Sequence, residues 1–386
     1  MAPTTLYLHI GTPKTGSSAI QDFLAENTRQ LEKEQYVFPD FGVRYYKVRA
    51  GRNGRWLRCM ETEEERETWE KNFRTLSELA ENHKGIILTD ESLWTWSYED
   101  EKGITEFWQK ISGRIQDLGI SLKVIVYLRR QDQFLYSFWG QKVKSAEKRS
   151  FRTYMEKTGE ARLHLDFFGQ LERIAAVVGR ENIIVRTYDR SRWTGGETIQ
   201  SEFLGLCGLQ INDSYVYPTG QINPSLADSV LEAKRLLNRR PEFRDRMNYT
   251  NRYLKIAQKK LKEEGKLKNR NFFPNEERKE FLRLYDSSNA AVAAEYLRRE
   301  GPLFDESDLD RPSEEAVFTT GELAEVYGIM IDAMHSELEQ KQKKISALKN
   351  EQNRGRSLVK KLLKKLRSRQ KRKSAVFSFS FPCLRV

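Results

Sequence analysis

LYLHIGTPKTGSS, residues 6–18, runs from an apolar strand into a glycine-bounded loop and on into a helix start, with Lys14 inside the loop. The first N–H groups of a helix have no carbonyl partner and lie at the positive end of its dipole, so a turn of this kind favours a bound anion. Gly11 and Gly16 let the backbone approach a ligand, and Lys14 adds a movable point charge. Thr15, Ser17 and Ser18 carry hydroxyls that can donate to oxyanion oxygens. The segment reads as a cradle for a phosphate-like group; the plainer reading is a polar turn after a buried strand.

The interval from Gly11 to Gly16 matches a nucleoside-triphosphate P-loop, but that motif needs lysine directly after the second glycine. Ser17 stands there, and the lysine lies two residues before Gly16. It therefore leaves the loop rather than the first helical turn and meets a different ligand atom, which argues against an ordinary ATPase or GTPase.

SLKVIVYLRRQDQFLYSFW, residues 121–139, repeats the order strand, polar turn, helix. Residues 124–128 form a short apolar run typical of a parallel strand covered on both faces. In open α/β sheets ligands lie beyond the carboxyl ends of strands, where Arg129 and Arg130 stand. Ser137 follows eight residues after Arg129 on an expected helix at 132–144, in reach of the same phosphate.

Together these residues resemble the PAPS-dependent sulfotransferase family, especially its bacterial, carbohydrate-directed branch. The family's 5′-phosphosulfate loop, commonly PKTGTT or PKTGSS, is matched by Pro13, Lys14, Thr15, Gly16, Ser17 and Ser18. Its 3′-phosphate motif, a strand-end arginine with a serine eight positions later, is matched by Arg129 and Ser137. DRSRW at 189–193, QINPSLAD at 221–228 and FLRLYDSSNAAVAAEYL at 281–297 also look like later stretches of bacterial members. The resemblance covers roughly residues 5–305.

The resemblance implies transfer of a sulfuryl group from PAPS, as co-substrate, to a hydroxyl or amine of a carbohydrate, foremost a cell-surface polysaccharide or glycolipid precursor. By analogy with phosphoryl transfer, charge builds on the bridging oxygen of the leaving phosphate, where Lys14 would neutralise it. Backbone amides of 15–18 and the nearby hydroxyls would hold the 5′-phosphate in line. The attacking hydroxyl wants a base, and Asp90 and Glu91 follow the apolar run GIILT, which should lie beside the first strand. Either could serve if burial raises its pKa, and the resemblance selects Glu91, since sugar-directed members often use a glutamate in this region; the alternative is that either acid caps the helix beginning near Ser92. His9 competes, although within the first strand it is expected to satisfy a core hydrogen bond. The four histidines show no HxH or HExxH pattern and the cysteines no CxxC, so no metal is suggested.

Strands are expected near 5–10, 85–90, 122–128 and 182–188, with helices from about Ser17, Glu65, Ile104, Asp132 and Asp166. This alternation implies an α/β fold: a three-layer α/β/α, P-loop-like parallel sheet, with a mainly helical C-terminal half and a basic helical tail. The expected division is a sulfotransferase domain at 1–335, with an acceptor or lid insert near 214–275, and a basic amphipathic tail at 336–386. Within the insert, residues 223–226 are assigned to the nucleotide by resemblance alone. Trp94, Trp96, Tyr98, Tyr45, Tyr46 and Trp56 are candidate walls of a sugar cleft, or core rings.

The net charge of +12 belongs to the tail. Residues 341–386 carry 16 Lys and Arg against the single acid Glu351, which leaves the remainder nearly neutral. Val359, Leu362, Leu363 and Leu366 fall on one helical face among lysines, a pattern suited to an anionic membrane surface, an acidic polymer or an acidic partner through 341–373. No specific nucleic acid is expected. Three scattered cysteines, no basic leader before the first strand and no run of transmembrane length point to the cytoplasm, with peripheral attachment at the inner membrane face. Two other classes stay open: a kinase with an irregular P-loop, and a polyanion binder acting through the tail.

Overall fold

A computed structural model describes residues 3–42, 44–45, 48–49, 51–95, 101–157, 165–193, 197–218, 226–244, 246–268, 270–311, 313 and 317–377. The main sheet has five strands, β1 (Thr5–Gly11), β2 (Tyr36–Val37), β5 (Gly85–Thr89), β6 (Ser121–Leu128) and β7 (Ile183–Thr187). A two-residue antiparallel ribbon supplies β3 (Arg44–Tyr45) and β4 (Val48–Arg49). Strand order is β2-β5-β1-β6-β7 and every pairing in the main sheet is parallel. The expected strands and their parallel α/β arrangement are therefore those observed, with β2 as an added short edge.

Alternate side chains of a strand point to opposite faces, and here both faces are buried. Leu6, Leu8, Ile10, Val124, Val126 and Leu128 enter one core with α3 (Glu63–Asn82), α4 (Glu101–Asp117) and the helix Phe167–Val178. Ile87, Ile125 and Tyr127 enter the other with α1 (Ser17–Glu26), which is followed by the short α2 (Thr28–Lys33), and with the helix Ile199–Leu206. That double burial explains the unbroken apolar run at 124–128, each aliphatic side chain contributing roughly 1.5–3 kcal/mol.

The chain visits β1 first, then β2 and β5 on one side, then β6 and β7 on the other. The carboxyl ends of β1 and β6 therefore flank the point where strand order reverses, the position where such sheets bind ligands.

The chain divides into two compact units, Met1–Met247 with Lys268–Phe318, and Asn248–Leu267 with Thr319–Val386. The second holds most of the helix Met247–Glu263 and one long helix from Thr320 to Phe377, which passes through Gly355 without a break. A mid-helix glycine costs about 1 kcal/mol relative to alanine, too little to stop a helix this long. Among the described residues no helix is long and apolar enough to cross a membrane.

Candidate anion site at the β1 and β6 strand ends

The loop after β1 is bent by its glycines. Gly11 has φ +110°, and a Cβ there would lie 2.8 Å from the carbonyl oxygen of Glu91. Gly16 has φ +78° and is the residue before α1, where no side chain caps the helix and no acid occupies the first turn. In α3, by contrast, Thr62 and Glu65 form a reciprocal capping box. The first N–H groups of α1 are thus left for an acceptor from outside the loop.

Ser17 is 5% exposed and its Oγ has no partner among the described residues. A buried hydroxyl without an acceptor at an uncapped helix start is what a phosphate-sized anion would complete. Ser18 is exposed at the next position and Pro13 is half-buried. Thr15 corrects the expectation of three donating hydroxyls: its Oγ1 donates to the carbonyl of Thr12 at 2.5 Å. That bond closes the loop and leaves the backbone N–H as the donor of Thr15.

Lys14 takes a positive φ of 72°, and no hydrogen bond or ion pair engages its ammonium among the described residues. Its pKa lies below the ordinary lysine value, through burial first and the Arg129 charge second, with Glu91 acting in the opposite sense. Arg129 reaches the loop directly, its Nη1 donating to the carbonyl of Lys14 at 3.0 Å and its Nε to Gln133 Oε1 at 3.3 Å. Lys14, Arg129 and Ser137 line one cavity of about 230 Å³, together with Gln133, Tyr136 and Leu226. Ser137 comes from α5 (Gln131–Ser145), whose first residues closely follow β6. Of the nucleotide stretch 223–226, Leu226 lines this cavity and 223–225 lie outside the described residues.

Arg130 does not share in this site, contrary to the sequence expectation. Its guanidinium is buried against Asp132 at 2.8 Å and Asp308 at 2.5 Å, and Arg278 Nε joins Asp132 at 2.6 Å. Successive residues at a strand end face opposite ways, so one arginine points to the cavity and its neighbour holds the 275–310 segment to α5. Composition alone does not separate the two.

The acidic pair divides in the same way. Asp90 is fully buried, ion-paired to Arg52 and 3.6 Å from Arg58, and accepts from the N–H of Ser92 as the cap of the short helix Glu91–Trp94. The capping alternative therefore describes Asp90. Glu91 is 22% exposed, its Oε2 accepting from Gln21 Nε2 at 2.9 Å and its Oε1 lying 3.5 Å from Arg52 Nε. Gln21 and Arg52 escaped the sequence reading because only tertiary packing brings them to this carboxylate. The sole hint was the arginine-rich stretch around 44–58.

His9 lies in the core against Tyr127 and Phe203, and among the described residues neither ring nitrogen has a hydrogen-bond partner, so the expected core hydrogen bond is not found there. Burial lowers its pKa to about 3. Trp94 and Trp56 are core rings, 0% and 4% exposed, and neither lines the cavity shared by Lys14 and Arg129. Trp96, Tyr98 and Tyr46 lie outside the described residues, as does the side chain of Tyr45. No cluster of three metal-ligating side chains occurs among the described residues.

No family model matches the sequence. An uncharacterized protein of Archaeoglobus fulgidus is 33% identical over 179 residues, 45% of this chain and 46% of the relative, so the match spans about half the length of that curated protein. Among solved structures, a sulfotransferase from Alicyclobacillus acidocaldarius aligns over 61% of this chain and 95% of its own, with a TM-score of 0.34 and 15% identity. A likeness that low bears no weight for the chemistry.

Proposed function

We propose that this chain is a sulfotransferase that moves a sulfuryl group from PAPS to a hydroxyl or amine of a carbohydrate acceptor. The observation that carries the reading is the hydrogen bond from Arg129 to the backbone of Lys14, which joins two cation-bearing strand ends around one cavity. In this reading the N–H groups of 15–18 and the Ser17 hydroxyl hold the 5′-phosphate, and Arg129 and Ser137 hold the 3′-phosphate. Lys14 offsets the charge that develops on the bridging oxygen as the sulfuryl group leaves. Glu91 takes the proton of the acceptor hydroxyl, held in orientation by Gln21 and Arg52.

The kinase reading is disfavoured because Ser17 stands where a P-loop lysine belongs. Isothermal titration with adenosine 3′,5′-bisphosphate, and separately with ATP and magnesium, tests the reading. Tight binding of the bisphosphate and weak binding of ATP is the expected result; equal affinity overturns it. Transfer of labelled sulfate from PAPS to candidate carbohydrates then identifies the acceptor.

A further inference from the structure

The long helix Thr320–Phe377 exposes a seam of apolar side chains that repeats every seven residues. Ile331, Leu338, Ile345, Val359 and Leu366 occupy one position of the repeat, and Met334, Leu348 and Leu362 the position three residues later. Ile331, Leu338, Ile345, Leu348, Val359, Leu362 and Leu366 are between 51% and 64% exposed, so the seam is left open among the described residues. A seven-residue apolar repeat on an exposed helix is the pattern by which helices wrap around each other. Lys341, Gln352 and Gly355 interrupt it near the middle.

The charge along the helix selects the occupant and its direction. Residues 320–340 hold five acids, Glu322, Glu325, Asp332, Glu337 and Glu339, and no lysine or arginine. Residues 341–367 hold eleven lysines and arginines against Glu351. Three of the acids already meet Arg252, Lys260 or Lys266 of the same unit, which tempers the acidic half without reversing its sign. Parallel pairing would lay one strongly basic half against another. Antiparallel pairing lays each basic half along the acidic half of its mate.

We propose that this face is covered by the same helix of a second copy of the chain, running antiparallel with Ile345 opposite Leu348. In that register Ile331 meets Leu362, Met334 meets Val359, and the two polar interruptions coincide, Lys341 facing Gln352. Leu338 fills the space over Gly355. Polar seam residues that meet only in one alignment are a known means of setting register. The pairing is independent of the donor chemistry, so it stands or falls apart from it.

Sedimentation equilibrium of the full chain over a concentration series tests the pairing, with helicity followed by circular dichroism. The wild type forms a dimer that weakens in about 1 M salt, where the Debye length is near 3 Å. Ile345→Glu and Leu348→Lys each weaken it at least about tenfold by placing a lone charge against an apolar side chain. The double variant recovers most of the loss, because Glu at 345 then faces Lys at 348 of the second copy. A chain that stays monomeric overturns the proposal, whether or not it sediments with phosphatidylserine vesicles or an acidic polymer. A dimer that the double substitution fails to restore overturns the antiparallel register.

Discussion

The guanidinium of Arg129 donates a hydrogen bond to the main-chain carbonyl of Lys14. This contact joins the end of β6 to the loop after β1, and it presents two positive charges to one cavity. Burial first, and the neighbouring Arg129 charge second, hold the Lys14 pKa below the ordinary lysine value, so the free protein carries a cost for keeping both cations there. A dianionic ligand relieves that cost on binding.

Arg129→Ala removes a charge-assisted contact of about 1.5–3 kcal/mol, roughly 10- to 150-fold in the dissociation constant. Titration calorimetry with adenosine 3′,5′-bisphosphate reads the loss directly. Arg129→Lys should recover only part of it, because an ammonium cannot hold both the Lys14 carbonyl and a ligand oxygen with the planar geometry of a guanidinium. Full recovery with lysine would show that only charge matters.

Lys14 carries a proton-linkage signature. In the free protein its pKa is depressed, so above neutrality part of the population loses the proton earlier than an ordinary lysine would. An anion beside it raises the pKa again, and bisphosphate binding then takes up protons on the alkaline side. Calorimetry at alkaline pH in buffers of different ionisation heat measures this uptake, and Lys14→Met should abolish it. The same depression makes folding stability rise with pH between the folded and unfolded pKa values, since there the unfolded chain binds more protons.

Glu91→Gln should lower turnover by about 10²–10⁴-fold and leave bisphosphate binding nearly unchanged, because the side chain holds its place through Gln21 while losing basicity. Gln21→Ala should cost less and act on the rate alone. Single-turnover sulfate transfer beside the binding isotherm separates the two quantities. Equal loss of affinity in Glu91→Gln would assign Glu91 to the donor instead.

Asp132→Asn breaks the buried group formed with Arg130, Arg278 and Asp308, and should destabilise the first unit by about 3–5 kcal/mol in urea melts. Asp308 has a pKa held below the usual carboxylate value, by its hydrogen bond to Arg130 above all. A depressed folded pKa contributes stability that is present above the unfolded carboxylate value and lost as pH falls through the folded one. Acid unfolding of Asp308→Asn should therefore depend less steeply on pH than that of the wild type.

Much of the architecture was written locally. The apolar runs at 6–10, 86–88 and 124–128 specify strands by continuity, and the polar, glycine-marked turns after them specify where helices begin. The bend of the loop after β1 was legible for the same reason, since glycine is the residue type that takes the positive φ seen at Gly11 and Gly16. The C-terminal helix runs unbroken from Thr320 to Phe377, whereas the sequence sets the tail at 336–386, because the shift to basic charge that marks the tail falls inside the helix and not at its start.

The set of elements and the two loops that carry cationic side chains follow from patterns within a few residues, and so are read from the chain directly. The choice between neighbours of equal charge is made by long-range packing. Arg129 faces the cavity while Arg130 is taken by Asp132 and Asp308, and Glu91 lies at the rim while Asp90 is buried under Arg52. These choices depend on partners far away in the chain, and ion pairing between distant segments leaves no trace in local spacing.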